Sequence, residues 1–223
     1  MSIAKTRTTP ADPAIGMMAG IRELLHRAGA APGDVSHLLF ASTVATNAVL
    51  QLAGARVGLI VTRGFRHILE IGRANIPGRL TNELRYRRPE RLVPLERIRE
   101  ADERCLSDGA VLRPLDEPTA RAAIRELIDA DVECVAVALL HSYANPAHER
   151  RIRELIADQA PRMAVTLSSD VLPEYREYER TMTTVLNAYV MPAMSRAVRG
   201  LERRLGAESL TPAVAVVRSD GAS

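Results

Sequence analysis

Three polar groups stand where apolar runs end, and their residue types suit the binding of an anion or a polar substrate. Ser42-Thr43-Val44-Ala45-Thr46-Asn47 puts hydroxyls and an amide at the start of a helix that follows a strand. Backbone N–H groups and the helix dipole favour negative charge there. N-capping by Ser42 or Thr43 is the competing account, but Thr46 and Asn47 lie inside the helix, where neither has high propensity. The second group, Thr62-Arg63-Gly64-Phe65-Arg66-His67, leaves another strand, with Glu70 and Arg73 at helical spacing beyond it. Its arginines can hold carboxylate or phosphate oxygens in bidentate fashion. The alternative is a solvated helix face with a Glu70–Arg73 i,i+3 pair, and His67, with no obvious carboxylate, reads as a surface imidazole. The third group runs from Glu174 to Arg180 and leads into Thr181, Thr183, Thr184 and Asn187. It is either a solvated face or a packed polar network.

Other chemistries are disfavoured. His141-Ser142-Tyr143 sets a nucleophile beside a base, yet no acid lies close in sequence and no Gly-x-Ser-x-Gly turn surrounds the serine. Glu149, after His148, reads as a helix cap or surface decoration. Cys105 and Cys134 form no CxxC and have no His nearby in sequence, so both read as core thiols and no metal site is expected. There is no GxxxxGK[ST], GxGxxG or HExxH motif.

The elements that must position these groups alternate. Asp12 caps a helix with Pro13 at its first position, and the helix closes at Gly29. A strand over 35–40, a helix from Ser42-Thr43 to Gly54 and a buried strand over 56–62 follow, the mark of parallel strands with crossover helices. Residues 74–94 lack periodicity and read as a long surface segment. Residues 98–106 and 110–112 read as a β-hairpin around Asp108-Gly109. A helix capped by Asp116, a strand over 133–141, a helix launched by Asn145-Pro146 and a strand over 163–167 follow. A long helical pattern from Tyr178 to Leu205 contains Pro192, where a kink or break is expected. A strand over 213–217 comes last, and residues 2–8 could add a lone strand. The fold class is therefore α/β, with mixed but mostly parallel sheets and crossover helices. The domain reading is a first α/β domain over 1–170, with 171–223 beginning a second, incomplete one.

The 223 residues carry 30 Lys and Arg against 27 Asp and Glu, and aromatics are only 3%. Such a mixed surface without stacking rings argues against nucleic acid. The longest apolar run, Cys134 to Leu140, is far below membrane-spanning length, and the first residues form no secretion signal, so no membrane association and a cytoplasmic location are expected. The chain reads as truncated at both ends, with an exposed apolar patch expected near Val185, Val190 and 214–217.

Taken in order, several segments resemble the hydantoinase/oxoprolinase family: Thr43-Val-Ala-Thr-Asn-Ala48, Thr62-Arg-Gly-Phe-Arg66, Leu69-Glu-Ile-Gly-Arg73, Asp108-Gly109 with Arg113-Pro-Leu-Asp116, His141-Ser-Tyr-Ala-Asn-Pro146 with His148-Glu149, Leu167-Ser-Ser169, and Tyr178-Glu-Arg180 through Asn187-Ala-Tyr189. The resemblance implies one half of an actin/sugar-kinase-like ATPase fold. It also implies ATP and Mg²⁺ as cofactors, ATP-dependent opening of a cyclic amide of the hydantoin or 5-oxoproline type, and a C-terminal half or second subunit as partner. A non-catalytic remnant or assembly subunit, or an accessory subunit of a ketone carboxylase, is the alternative. On this reading Thr43, Thr46, Asn47, Arg63, Glu70, Arg73, Arg180, Ser219, Asp220 and Gly221 border a substrate or phosphate cleft. The chain departs from the family where Phe40-Ala41-Ser42 replaces His-Gly-Thr and where His67 replaces Asp.

Overall fold

The strand over residues 57–62 is apolar on both faces, which only a covered parallel sheet accommodates. In the computed structural model, which describes residues 2–7, 9, 12–73 and 90–217, this strand is indeed fully buried. The elements are α1 (Pro13–Ala28), β1 (His37–Phe40), α2 (Val44–Leu50), β2 (Val57–Thr62), α3 (Ile68–Ile71), β3 (Ile98–Ala101), β4 (Arg104–Cys105), β5 (Val111–Arg113), α4 (Glu117–Asp129), β6 (Cys134–Ala138), α5 (Ala147–Gln159), β7 (Ala164–Leu167), α6 (Ser168–Val171), α7 (Glu177–Ala207) and β8 (Ala213–Val216). Among the described residues no helix is long and apolar enough to cross a membrane.

The chain divides into two units, Met1–Gln51 with Pro192–Ser223, and Leu52–Met191. The last strand lies with the first: β8 pairs in parallel with β1, His37 opposite Ala213 and Phe40 opposite Val216. In this first unit Ala14, Met18 and Phe40 form a core with Leu201, Leu205 and Leu210. Asp12 caps α1 by accepting from the Ala14 N–H at 3.1 Å, and Gly29 closes it at φ 61°, a left-handed position suited to glycine. Residues 2–7 form no strand; Thr6 instead donates to the Gly16 carbonyl at 2.8 Å.

The second unit is built on a four-stranded parallel sheet in the order β3-β2-β6-β7. Ile124 and Leu127 of α4 and Ile152, Leu155 and Ile156 of α5 pack with Ile60, Val135 and Val137 in one apolar core. Burying each large side chain contributes about 1.5–3 kcal/mol. The expected long hairpin is corrected here. Residues 98–101 join the main sheet beside β2, and only β4 and β5 pair antiparallel, Cys105 opposite Val111. Helix α7 runs on through Pro192, so of the expected kink or break the break does not occur. Val185 is fully buried, which removes it from the expected exposed patch, whereas Val216 is 40% exposed.

Gly54 does not cap α2, which ends at Leu50 with Gln51 as its cap. A Cβ at Gly54 would lie 2.2 Å from the Tyr189 ring, and the neighbouring Ala55 N–H donates to the Tyr189 carbonyl at 2.9 Å. Close approach of α7 is what requires glycine there.

Candidate functional site

In open parallel sheets, ligands bind beyond the carboxyl ends of the strands, at the point where successive crossovers leave in opposite directions. Here that point lies between β2 and β6, since β2 leads outward to β3 on one side and β6 to β7 on the other. Thr62 ends β2 and is fully buried. Its hydroxyl accepts from the Leu140 N–H at 2.9 Å and donates to Oε1 of Glu103. The other oxygen, Oε2, lies 2.8 Å from Nδ1 of His148, and Cys105 Sγ lies 3.6 Å from the same nitrogen. The local sequence explains this convergence: Glu103 lies between β3 and β4, and His148 sits in the first turn of α5, whose start is fixed by Asn145 Oδ1 accepting from the Ala147 N–H at 3.1 Å. The absence of a nearby His for Cys105, expected from sequence spacing, is thereby corrected. Burial, with a contribution from Glu103, pushes the Cys105 thiol up.

A second buried network spans the ends of β6 and β7. Glu149, with no exposed surface, accepts from the Leu139 N–H at 2.9 Å and the Ser168 hydroxyl at 2.6 Å through Oε1, and from the Ser169 N–H at 2.9 Å through Oε2. Ser168 spends its proton on Glu149, so Ser142 donates to Ser168 at 2.8 Å. Ser142, 2% exposed, is thus a structural hydroxyl and no nucleophile. Glu149 is a tie between strands and not surface decoration.

His141 follows in the left-handed region at φ 57°, a conformation non-glycine residues hold only when surroundings enforce it. Its ring stands edge-on to Tyr143, 5.9 Å between centroids at 77°. Burial first, then the charges of Arg180 and Arg104, hold its pKa below the usual imidazole value. A neutral, half-buried imidazole at a strand end can accept a proton or orient a carbonyl.

Each sequence-derived site residue of the second unit has its own partner. Arg63 is exposed and donates to Asp102 Oδ2 at 2.7 Å, while Arg113 donates to Oδ1 at 2.6 Å. The Arg113 hydrogen bond, reinforced by both arginine charges, holds Asp102 below the ordinary carboxylate range. Glu70 does not pair with Arg73. It pairs with Arg91 and, at 2.7 Å, with His67 Nδ1, so His67 has a carboxylate after all. Arg73 pairs with Glu179, beside a recess of about 310 Å³ lined by Gly72, Arg73 and residues 175–179. Arg180 is 1% exposed. Its Nη1 donates to the Glu174 carbonyl at 2.5 Å and its Nη2 to the Leu139 carbonyl at 2.9 Å. The guanidinium lies 5.5 Å from the Tyr143 centroid, and Nε has no hydrogen-bond partner among the described residues.

Thr43, Thr46 and Asn47 belong to the first unit and are exposed. Ser42 supplies the cap, its hydroxyl accepting from the Val44 N–H at 3.1 Å. Thr43, the N-cap position, makes no side-chain cap bond and accepts a long 3.4 Å bond from the Asn47 amide. Ser219, Asp220 and Gly221, like residues 74–89, lie outside the described residues.

Sequence reasoning missed Glu103 altogether. A carboxylate two positions past the end of β3 is the only trace it leaves. Nothing in the sequence foretells that residues 103, 105 and 148 meet.

The sequence and the fold of the chain have counterparts among known proteins. The acetophenone carboxylase gamma subunit of Aromatoleum aromaticum is 33% identical over 99% of this chain and 32% of its own length. The crystal structure of ATP-dependent caprolactamase from Pseudomonas jessenii superposes with a TM-score of 0.89 at 29% identity, covering 99% of this chain and 32% of that one. A nucleotide-free acetone carboxylase, from work on its ATP-dependent carboxylation, superposes at 0.83 and 29% identity over 95% of this chain and 32% of that one. The chain spans about a third of the length of these proteins. The parallel α/β fold read from the sequence is therefore one shared with subunits of ATP-dependent enzymes. With the hydantoinase/oxoprolinase N-terminal region matched over residues 1–160, the chain belongs to the hydantoinase/oxoprolinase family.

Proposed function

We propose that this chain is part of an ATP-dependent enzyme that opens the ring of a cyclic amide of the hydantoin or 5-oxoproline type. The observation that carries this reading is the likeness to caprolactamase over 99% of the chain at a TM-score of 0.89. A lactam carbonyl is a poor electrophile; Mg-ATP supplies a phosphoryl group that turns its oxygen into part of a leaving group. The exposed hydroxyls of Thr43 and Thr46 and the Asn47 amide have the donor chemistry for a phosphate or polar substrate. Arg63 and Arg73, both exposed, supply cationic forks. Arg180 acts by positioning, fixing the Leu139 carbonyl at the end of β6. Glu70 positions His67 through their hydrogen bond. A C-terminal half or a second subunit completes the site, and a cytoplasmic location follows from its use of ATP.

The 33% identity to a ketone carboxylase subunit supports a second reading, an accessory subunit in ATP-dependent carboxylation. The test combines the chain with a family C-terminal half and Mg-ATP, and measures ADP release with hydantoin, 5-oxoproline or caprolactam, and separately with a ketone plus bicarbonate. ADP formed in step with a ring-opened product is the expected result. ADP formed only with ketone and bicarbonate moves the chain to the second reading. No Mg-ATP binding by calorimetry in any mixture leaves a non-catalytic subunit and overturns both.

A further inference from the structure

Glu103, Cys105 and His148 bring three metal-binding atom types into one spot at the switch point of the sheet, from the segment after β3, from β4 and from α5. Their ligand atoms all lie within 4.8 Å of one another. The separations are 2.8 Å between His148 Nδ1 and Glu103 Oε2 and 3.6 Å between that nitrogen and Cys105 Sγ. Tetrahedral zinc with bonds of about 2.0–2.3 Å sets its ligand atoms about 3.3–3.7 Å apart. The observed spacing is therefore reached by small side-chain movements. Burial argues the same way. Glu103 and Cys105 are 1% and 2% exposed, and among the described residues Glu103 pairs with no lysine or arginine, only with His148. A buried carboxylate needs a compensating positive charge. Its orientation is already fixed, because the Thr62 hydroxyl occupies Oε1 and is itself held by the Leu140 N–H, leaving Oε2 turned to the imidazole. This is how an outer layer of hydrogen bonds presents a ligand to a metal.

We propose that Glu103 Oε2, Cys105 Sγ and His148 Nδ1 form a binding site for one divalent transition metal of the zinc or cobalt class, with water as fourth ligand. The mixed O, S and N donors select these ions over magnesium or calcium, which take oxygen alone. His148 is 13% exposed at its side chain, which leaves a way in for the ion and for the water. On binding, the metal displaces one proton from the Cys105 thiol to solvent, and the proton between His148 Nδ1 and Glu103 Oε2 passes to the imidazole's other nitrogen or to solvent, which frees Nδ1 and Oε2 as ligands. Bound there, it joins the β4–β5 hairpin to the first turn of α5 and, through Thr62, to the end of β2.

The reduced, EDTA-treated chain titrated with Co²⁺ tests this independently of any catalytic reading. One equivalent should bind with a thiolate-to-cobalt charge-transfer band, kept in Cys134→Ser and lost in Cys105→Ser. Thr62→Val should bind about 10–100-fold more weakly. X-ray absorption of the zinc-loaded wild-type chain reads the ligands without any variant: one sulfur at about 2.3 Å and the remaining shell of nitrogen and oxygen at about 2.0–2.2 Å. No saturable binding, a band that survives Cys105→Ser, or a shell with no sulfur or with two overturns the proposal.

Discussion

Exchanging Glu149 for glutamine changes one oxygen of a fully buried carboxylate into an amide, with little change in shape. Glutamine can keep its oxygen where Oε1 accepts from the Leu139 N–H and the Ser168 hydroxyl. Its NH₂ then faces the Ser169 N–H, which Oε2 now accepts at 2.9 Å, so two donors oppose each other. The lost charged bond costs about 1.5–3 kcal/mol and the orphaned N–H about 1–3 kcal/mol. Arg180, whose charge Glu149 partly offsets, loses that support. Against these stands the relief of no longer burying a carboxylate. The balance is a destabilisation of about 2–4 kcal/mol, or about 4–16 °C in melting temperature for a chain of this size. Urea unfolding measures it, with Glu154→Gln as control. Glu154 is 63% exposed and pairs with a half-exposed Arg151, so its exchange should cost under about 0.5 kcal/mol. Amide exchange supplies a local reading, because the Ser169 N–H should exchange faster than its neighbours in β7. A Glu149→Gln chain as stable as the Glu154→Gln control, with Ser169 exchange unchanged, would refute the claim that this carboxylate ties the strand ends together.

Gly54→Ala forces a Cβ against the Tyr189 ring at 2.2 Å and should destabilise by about 1–3 kcal/mol, partly relieved by Tyr189→Leu; Gly33→Ala, with nothing within 4 Å, should be near neutral in the same thermal melts. Asp102 has its pKa lowered in the folded chain, so its contribution is present above the unfolded value of about 3.9 and is lost as pH falls through the lower folded value. The stability difference between wild type and Asp102→Asn should therefore shrink below about pH 4, and a difference that grows on acidification contradicts the assignment. Burial pushes the Cys134 thiol up to about 12 and raises Cys105 as well. Both should resist iodoacetamide at mildly alkaline pH in the folded, metal-free chain and react rapidly in denaturant, and prompt labelling of Cys134 in the folded chain would count against its place in β6.

The continuous apolar runs of β2 and β6 could be read directly, because burial on both faces leaves a local trace in every residue. The partner of a short strand leaves none. Residues 98–101 look alike whether they fold back on 110–112 or add to β2, and only the parallel pairing of Leu59 with Ile98 decides it. Pro192 does not end the helix, for a related reason. An interior proline costs about 3 kcal/mol, yet Val185, Ala188 and Tyr189 before it and Leu201 and Leu205 after it are all buried, and packing on that scale outweighs a local penalty. Gly54 has the chain position of a helix stop signal, but its constraint comes from a ring 135 residues away, the separation of positions 54 and 189.

At the site, residue type was legible and pairing was not, and pairing divides the arginines by role. Arg63 and Arg73 were expected to hold anions, and each is found with a carboxylate, Asp102 and Glu179. Their side chains are 59% and 51% exposed, and ion pairs in such positions contribute only about 0–1 kcal/mol. An incoming phosphate or carboxylate can therefore displace them at small cost, and the resident carboxylates keep the guanidinium groups oriented meanwhile. Arg180 is the opposite case. Buried, and committed through both terminal nitrogens to the Glu174 and Leu139 carbonyls, it could meet a ligand only by abandoning two main-chain acceptors to a medium without water, at about 1–3 kcal/mol for each. Its place beside His141 and Tyr143 is then to hold the end of β6 still.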